Sequence, residues 1–415
     1  MAKPVKDLKQ SGGFAIDKDK IDEKSNYWAK CKGEPRQMSL EKDLPDYVLS
    51  GRLNHHTENM GELTKNKKVV KIFLSSTFSD MHEERNYLLS KIFPKLQKFC
   101  QNQYNLDFQV VDMRWGVREE ADDDHSGPKI CMSELKSCQE LSLGPNFVCL
   151  LGQRYGSCPT PPEISMEVWN AIDKSLNDEE ARKAIKKWYA KDVNMKPPSM
   201  ILKPLHEIIP ADKRKEAKMS KEEKKKAKAE LDSMFEGLKK GFEKAVENKL
   251  MTEEDAKKYL WSVTEEEVYK GVLFLPKDKV KNEALCFVRN IVNINYQDEN
   301  AKRFVELKEE DNKVVENSDL ADNVERLVEE TKSHLGPENF FTFPDVKWGH
   351  NAMDEDSLKQ YLDEFGKKFE KEVKRLIIQR GFILVYMNLI ITKIALWLLY
   401  HVQWFMTKHG KCGSL

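Results

Sequence analysis

Three short apolar runs, VVKIFLSS (69–76), FQVVDMRWGV (108–117) and NFVCLLGQRYG (146–156), constrain this chain more than any other feature. Each is too short for a buried helix and rich in β-branched or aromatic residues, which points to strands buried on both faces. Between the first two, Leu88, Leu89, Ile92, Phe93, Leu96 and Phe99 recur at spacings of three and four, the signature of an amphipathic helix. Pro94 falls inside that pattern and, lacking an amide donor, should break or kink it. A second helix is expected in GPKICMSELKSCQEL, ahead of the third run. Strand, helix, strand, helix, strand predicts an α/β fold: a parallel sheet with flanking crossover helices. Ligands meet such sheets at the carboxyl ends of the strands, which here are Ser75 to Asp80, Asp112 to Trp115 and Gln153 to Tyr155.

The rest of the chain divides around this block. Residues 1–65 read as a flexible leader, 66–175 as the α/β domain and 176–380 as a mainly helical region. Within the last, the Lys-rich stretch 211–232 reads as a solvated helix or insertion, with a nuclear-localisation or phosphate-binding patch as the alternative. Thr264 and Glu267 in TEEEV form a capping-box pattern, and Leu358 to Leu376 form a last amphipathic helix. Residues 382–406 are a 25-residue hydrophobic tail, long enough for a transmembrane helix across a core of about 30 Å. Lys393 near its centre opposes insertion, so a membrane tail anchor and a buried terminus both stay open.

Composition excludes more than it selects. Lys plus Arg and Asp plus Glu each number 69, so no whole-chain field favours nucleic acid. The eight cysteines form no C-x-x-C pair and no zinc-ligand spacing, which predicts reduced, packed thiols. The N-terminus lacks the apolar core of a secretory signal, so a cytoplasmic location is expected. There is no G-x-x-x-x-G-K-[ST] loop, no G-x-S-x-G elbow and no H-E-x-x-H pair.

The stretch KIFLSSTFSDMHEERNYLL has two readings. In one, Asp80 caps the following helix with Glu83 at the reciprocal position. In the other, Ser75, Ser76 and Thr77, backed by amides at the helix start, cradle a phosphate or ribose. Arg85 lies just beyond, and Asp112 and Arg114 sit at the next strand end as an ion pair or as ligand contacts, with Trp115 offering a stacking face. Glu134, helix-borne, is the candidate acid for stabilising an oxocarbenium ion, against a surface or capping role.

In this order, KIFLSSTFSDMHEERNYLLSKIFPKL, VVDMRWGV, CMSELKSC and FVCLLGQRYG resemble the TIR-like domain that opens NACHT and WD-repeat domain-containing proteins. Telomerase-associated and nephrocystin-like relatives share the arrangement, and the match runs on through PPEISMEVW and YLWSVTEEEVYKGV over about residues 67–380. The resemblance implies a signal-transducing scaffold module without a cofactor, with protein partners and homotypic self-association. It would place a NACHT nucleotide switch where the hydrophobic tail stands, so ATP switching is not carried over, and a truncated relative is expected. It also implies an alternative, an N-glycosidic hydrolase of NAD or nucleotides with Glu134 as its catalytic residue. A third reading, a tail-anchored membrane adaptor, differs only in residues 382–406.

Overall fold

The computed structural model describes residues 69–115, 125–208, 221–311 and 313–380. The first strand, β1 (Val69–Ser75), is buried along its length apart from Val69 and Lys71, as a central parallel strand must be. It leads into α1 (His82–Tyr87), a π-helical turn at Leu88–Ile92 and α2 (Phe93–Tyr104). Pro94 sits in the first turn of α2, where no intrahelical partner for its missing N–H is needed. The interruption expected at this proline is thus taken up by the π turn just before it. Asn105, in the left-handed conformation, ends α2 and sends the chain into β2 (Asp107–Val111). Then come α3 (Gly127–Leu141) and the fully buried β3 (Phe147–Leu151).

An insertion follows with its own core. β4 (Glu163–Ser165), β5 (Tyr189–Asp192) and β6 (Ser199–Leu202) form an antiparallel sheet in the order β4-β6-β5. The connecting helices α4 (Met166–Ser175) and α5 (Glu179–Trp188) pack on α6 (Lys221–Glu247) around Trp169, Trp188, Leu238 and Phe242. The described part of the Lys-rich stretch is therefore the start of α6, anchored from Ala227 onward by a buried face.

After α7 (Glu253–Lys258) and α8 (Val263–Val268) the chain returns to the first sheet with β7 (Ala284–Val288). A hairpin, β8 (Leu307–Glu310) and β9 (Lys313–Glu316), leads to α9 (Ser318–Leu335), β10 (Phe340–Thr342) and α10 (355–380). The main sheet has the order β10-β7-β3-β1-β2 and every pair is parallel. In sequence order its strands run 2-1-3-4-5, the doubly wound arrangement whose switch point lies between β1 and β3. One face packs on α1, α2 and α10 through Leu88, Leu96, Phe287, Phe365 and Phe369. The other packs on α3, α8 and α9 through Leu135, Val268 and Leu327.

The expected parallel sheet with flanking helices is present. Two of its five strands come from residues 284–288 and 340–342, inside the stretch read as mainly helical, so the sheet spans the boundary expected near residue 175. All described residues fall in one compact unit. The leader (1–65) and the hydrophobic tail (381–406) lie outside the described residues, and among those described no helix is long and apolar enough to cross a membrane.

Candidate functional site at the carboxyl edge of the sheet

The loop between β1 and α1 sits at the switch point, and its Ser76, Asp80 and Met81 side chains are buried. Asp80 is not a helix cap: the N-cap position is Met81, with no side-chain bond. Asp80 is instead fully buried, accepts the Thr77 hydroxyl and faces Arg289, the first residue after β7. Arg289 Nη1 donates to Glu84 Oε1 at 2.7 Å and to the Asp80 carbonyl at 2.7 Å, and Nη2 lies 3.6 Å from Asp80 Oδ2. All three side chains have no exposure, so two acids, one just before α1 and one in it, share a cation about 200 residues later in the chain. Burial pushes the Asp80 carboxyl up to about 6 despite Arg289. Gly152, just past β3, closes the cluster from the other side: a Cβ there would lie 2.4 Å from Asp80 Oδ2 and 3.0 Å from Arg289 Nη2.

A second network joins the ends of β1 and β2. Arg85, 1% exposed, donates from Nε to Ser76 Oγ (2.7 Å), from Nη1 to Asp112 Oδ1 (2.6 Å) and from Nη2 to the Leu74 carbonyl (3.0 Å). Arg114 grips the same Asp112 through Nε (3.0 Å) and Nη2 (2.8 Å) and reaches Asn86 with Nη1. Burial works against an ionised Asp112, but the two guanidinium groups hold its carboxyl below the usual range. Phe78 stands exposed at the loop tip over Arg85, with 5.3 Å from guanidinium carbon to ring centroid.

The third component comes from α8. Its N-cap is Ser262, which accepts from the Glu265 amide, so the capping box read for Thr264 and Glu267 starts two residues too late. Glu267 crosses instead to β1, where it accepts the Ser75 hydroxyl at 2.5 Å. Burial pushes its carboxyl up to about 7, with Ser75 and Arg85 opposing. Glu265 takes the Tyr155 hydroxyl on one oxygen and Arg326 on the other, at 2.5 Å. Arg154 bonds Ser79 and pairs with Glu306 at 3.1 Å. Gly156 adopts φ +95°, and a Cβ there would meet Thr77 Cγ2 at 2.7 Å.

The structure thus gathers Ser75, Ser76, Thr77, Asp80, Arg85, Asp112 and Arg114 at one sheet edge, and Trp115 lies in the 3-10 turn beside them. Glu134 is not brought there. It lies on α3, 42% exposed, and accepts Lys71 Nζ at 3.2 Å. Lys71 precedes Ser75 by four strand residues, about 13 Å at 3.3 Å per residue. Glu84, Glu265, Arg289 and Glu306 were not singled out from sequence. Arg289 carried one local signal, an arginine directly ending the apolar run ALCFV. Among the described residues no cluster of His, Cys, Asp and Glu suits a metal ion.

The domain of unknown function DUF4062 matches residues 71–257. NACHT and WD repeat domain-containing protein 2 of Homo sapiens is 27% identical over 333 residues, 75% of this chain and 18% of that protein. Over much of its length the chain is similar to NACHT and WD repeat proteins. NACHT domain- and WD repeat-containing protein 1 of Mus musculus is 30% identical over 52% of this chain, and telomerase protein component 1 of Rattus norvegicus 34% over 23%. The chain spans less than a fifth of the length of these NACHT and WD repeat relatives. No solved structure matches it.

Proposed function

We propose that this chain is a non-enzymatic signalling or scaffold module that works by presenting its surface to protein partners. The observation that carries this reading is the state of the switch-point crevice. Where a doubly wound enzyme would admit a ligand, Asp80, Glu84 and Arg289 are fully buried against one another and Gly152 leaves no room beside them. Ser75 and Asp112, the best-placed polar groups, are already committed to Glu267 and to two arginines. Glu134, the acid required by the N-glycosidase alternative, is held by Lys71 on the flank of the sheet. Similarity to NACHT and WD repeat proteins supports the same reading.

The test is turnover. The full chain is incubated with NAD and with nucleosides while NMR follows free nicotinamide and free base, beside Glu134→Ala and Glu267→Gln. No release above a no-protein blank is expected from any of the three. Release abolished by either substitution would replace the scaffold reading with a hydrolytic one and name its acid.

A further inference from the structure

The main sheet ends in a short edge strand that has no bulge and no charged residue of its own. β10 pairs with β7 alone and continues through Phe343 to Pro344, so the edge reads Phe-Phe-Thr-Phe with no charge and no proline inside it. Its hydrogen-bonding direction follows from one contact: Cys286 N–H of β7 donates to the Asn339 carbonyl at 2.9 Å. Backbone groups alternate sides along a strand, so Asn339 and Phe341 face β7 while Phe340 and Thr342 turn their N–H and C=O outward. Those outward groups have no partner among the described residues. Thr342 is exposed, and an open groove of about 450 Å³ runs beside it.

The groove's far wall is α10, which presents Glu364 and Lys368 one turn apart. Lys368 lies over the Phe341 ring, 4.3 Å from Nζ to centroid, and shares Glu372 at 3.1 Å. Glu364 has no cation within reach among the described residues and takes only a 3.4 Å bond from the Gln360 amide. A negative and a positive side chain in line along one helix, beside a free strand edge, make a self-complementary pattern. If two copies pair β10 with β10 about a two-fold axis, the strands become antiparallel, and so do the two α10 helices. Glu364 of each copy then faces Lys368 of the other.

We propose that β10 is a homotypic docking edge through which a second copy of this chain extends the parallel sheet across a two-fold axis. The proposal rests on the reading of the chain as an interaction module and names the partner. Phe341 and Phe343, half-buried against Phe287, Tyr361 and Phe365, would supply the apolar centre of the contact. Outward backbone groups of Phe340 and Thr342 supply its ladder. Glu364 and Lys368 set its orientation, because a parallel arrangement would oppose like charges.

Sedimentation equilibrium of the full chain from about 1 to 100 µM, the range of modest interfaces, tests this with three variants. Wild type is expected to show a concentration-dependent dimer. Thr342→Pro removes an N–H that points away from β7, which an edge strand tolerates, so the variant should keep the wild-type circular dichroism and become monomeric. Glu364→Lys turns two attractive pairs into two repulsive ones and should weaken the dimer about tenfold or more. The exchange Glu364→Lys with Lys368→Glu should restore it. A monomer throughout, or a dimer indifferent to Thr342→Pro, overturns the proposal. A dimer lost in Thr342→Pro but blind to both charge variants overturns the two-fold arrangement. Turnover in the NAD assay would sink the module reading whatever the mass, whereas a monomer without turnover sinks only the self-pairing.

Discussion

Replacing Glu267 by Gln should change how stability depends on pH, with a magnitude set by one buried carboxyl. Burial lifts its pKa from 4.5 to about 7, against the favourable Ser75 hydroxyl and the Arg85 charge. The folded state therefore holds a proton that the unfolded chain releases above pH 4.5. Stability from this group is fully present below that value and is lost as pH rises through 7. At 1.36 kcal/mol per unit the difference amounts to about 3 kcal/mol across the window. Gln keeps the shape and can still accept the Ser75 hydroxyl, 2.5 Å away, but does not titrate. Asp80 titrates in an overlapping window, but it is common to both proteins and cancels in their difference. Urea unfolding of wild type and variant at pH 5, 6, 7 and 8, followed by tryptophan fluorescence, measures it. The variant should gain on wild type by about 2.5 kcal/mol between pH 5 and 8, because part of the window lies below pH 5. A pH-independent difference, or one that shrinks as pH rises, would refute the assignment of Glu267 as a buried, proton-holding group.

Two further substitutions probe the crevice. Gly152→Ala places a methyl 2.4 Å from Asp80 Oδ2 and 2.9 Å from Met81 Cε, and should destabilise by about 1–3 kcal/mol in urea unfolding, the usual penalty of overpacking. Arg289→Met leaves Asp80 and Glu84 buried without their cation and should destabilise by about 3–5 kcal/mol at pH 7.5. Acidification to pH 5 should return part of that loss, since a protonated Asp80 no longer needs the guanidinium; an unchanged loss would contradict this.

The first half of the fold was legible because β1, β2 and β3 alternate with helices of strong period. VVKIFLS and FVCLL admit no other buried element of that length. β10 was not legible, because FFT is too short to show a period and is defined only by its register with Cys286 to Val288. The candidate site was legible only where its residues are local. Asp112 and Arg114 sit two apart and pair as the sequence allowed. Asp80 and Glu267 were read as capping residues because a carboxylate near a helix start has a local explanation that suffices. What turned them inward is tertiary: Arg289 lies 209 residues from Asp80, and Ser75 lies 192 from Glu267. No local pattern encodes a partner at that separation. Glu134 was favoured for standing on a helix beside the sheet, but helical position does not fix the level along the strands, and Lys71 holds it toward their start.

The same long-range pairing bears on the matched domain, residues 71–257. That span contains most of β1, all of β2 and β3 and the insertion with its own core, but it lacks β7, β10, α8, α9 and α10. Cut there, β3 would become an edge strand with five fully buried residues, Phe147 to Leu151, facing water on one side. Asp80 and Glu84 would lose Arg289, and Ser75 would lose Glu267. The apolar face that α10 covers through Phe365 and Phe369 would open at the same time. The chain cut after residue 257 should therefore keep far-ultraviolet helicity, contributed largely by α4, α5 and α6, yet bind a hydrophobic dye and associate without a defined mass. Residues 66–380 should instead melt in one cooperative transition. A cooperative, dye-free monomer from the shorter piece would mean that the buried ion pairs join two structures each able to stand alone, and the crevice would then be an interface between them.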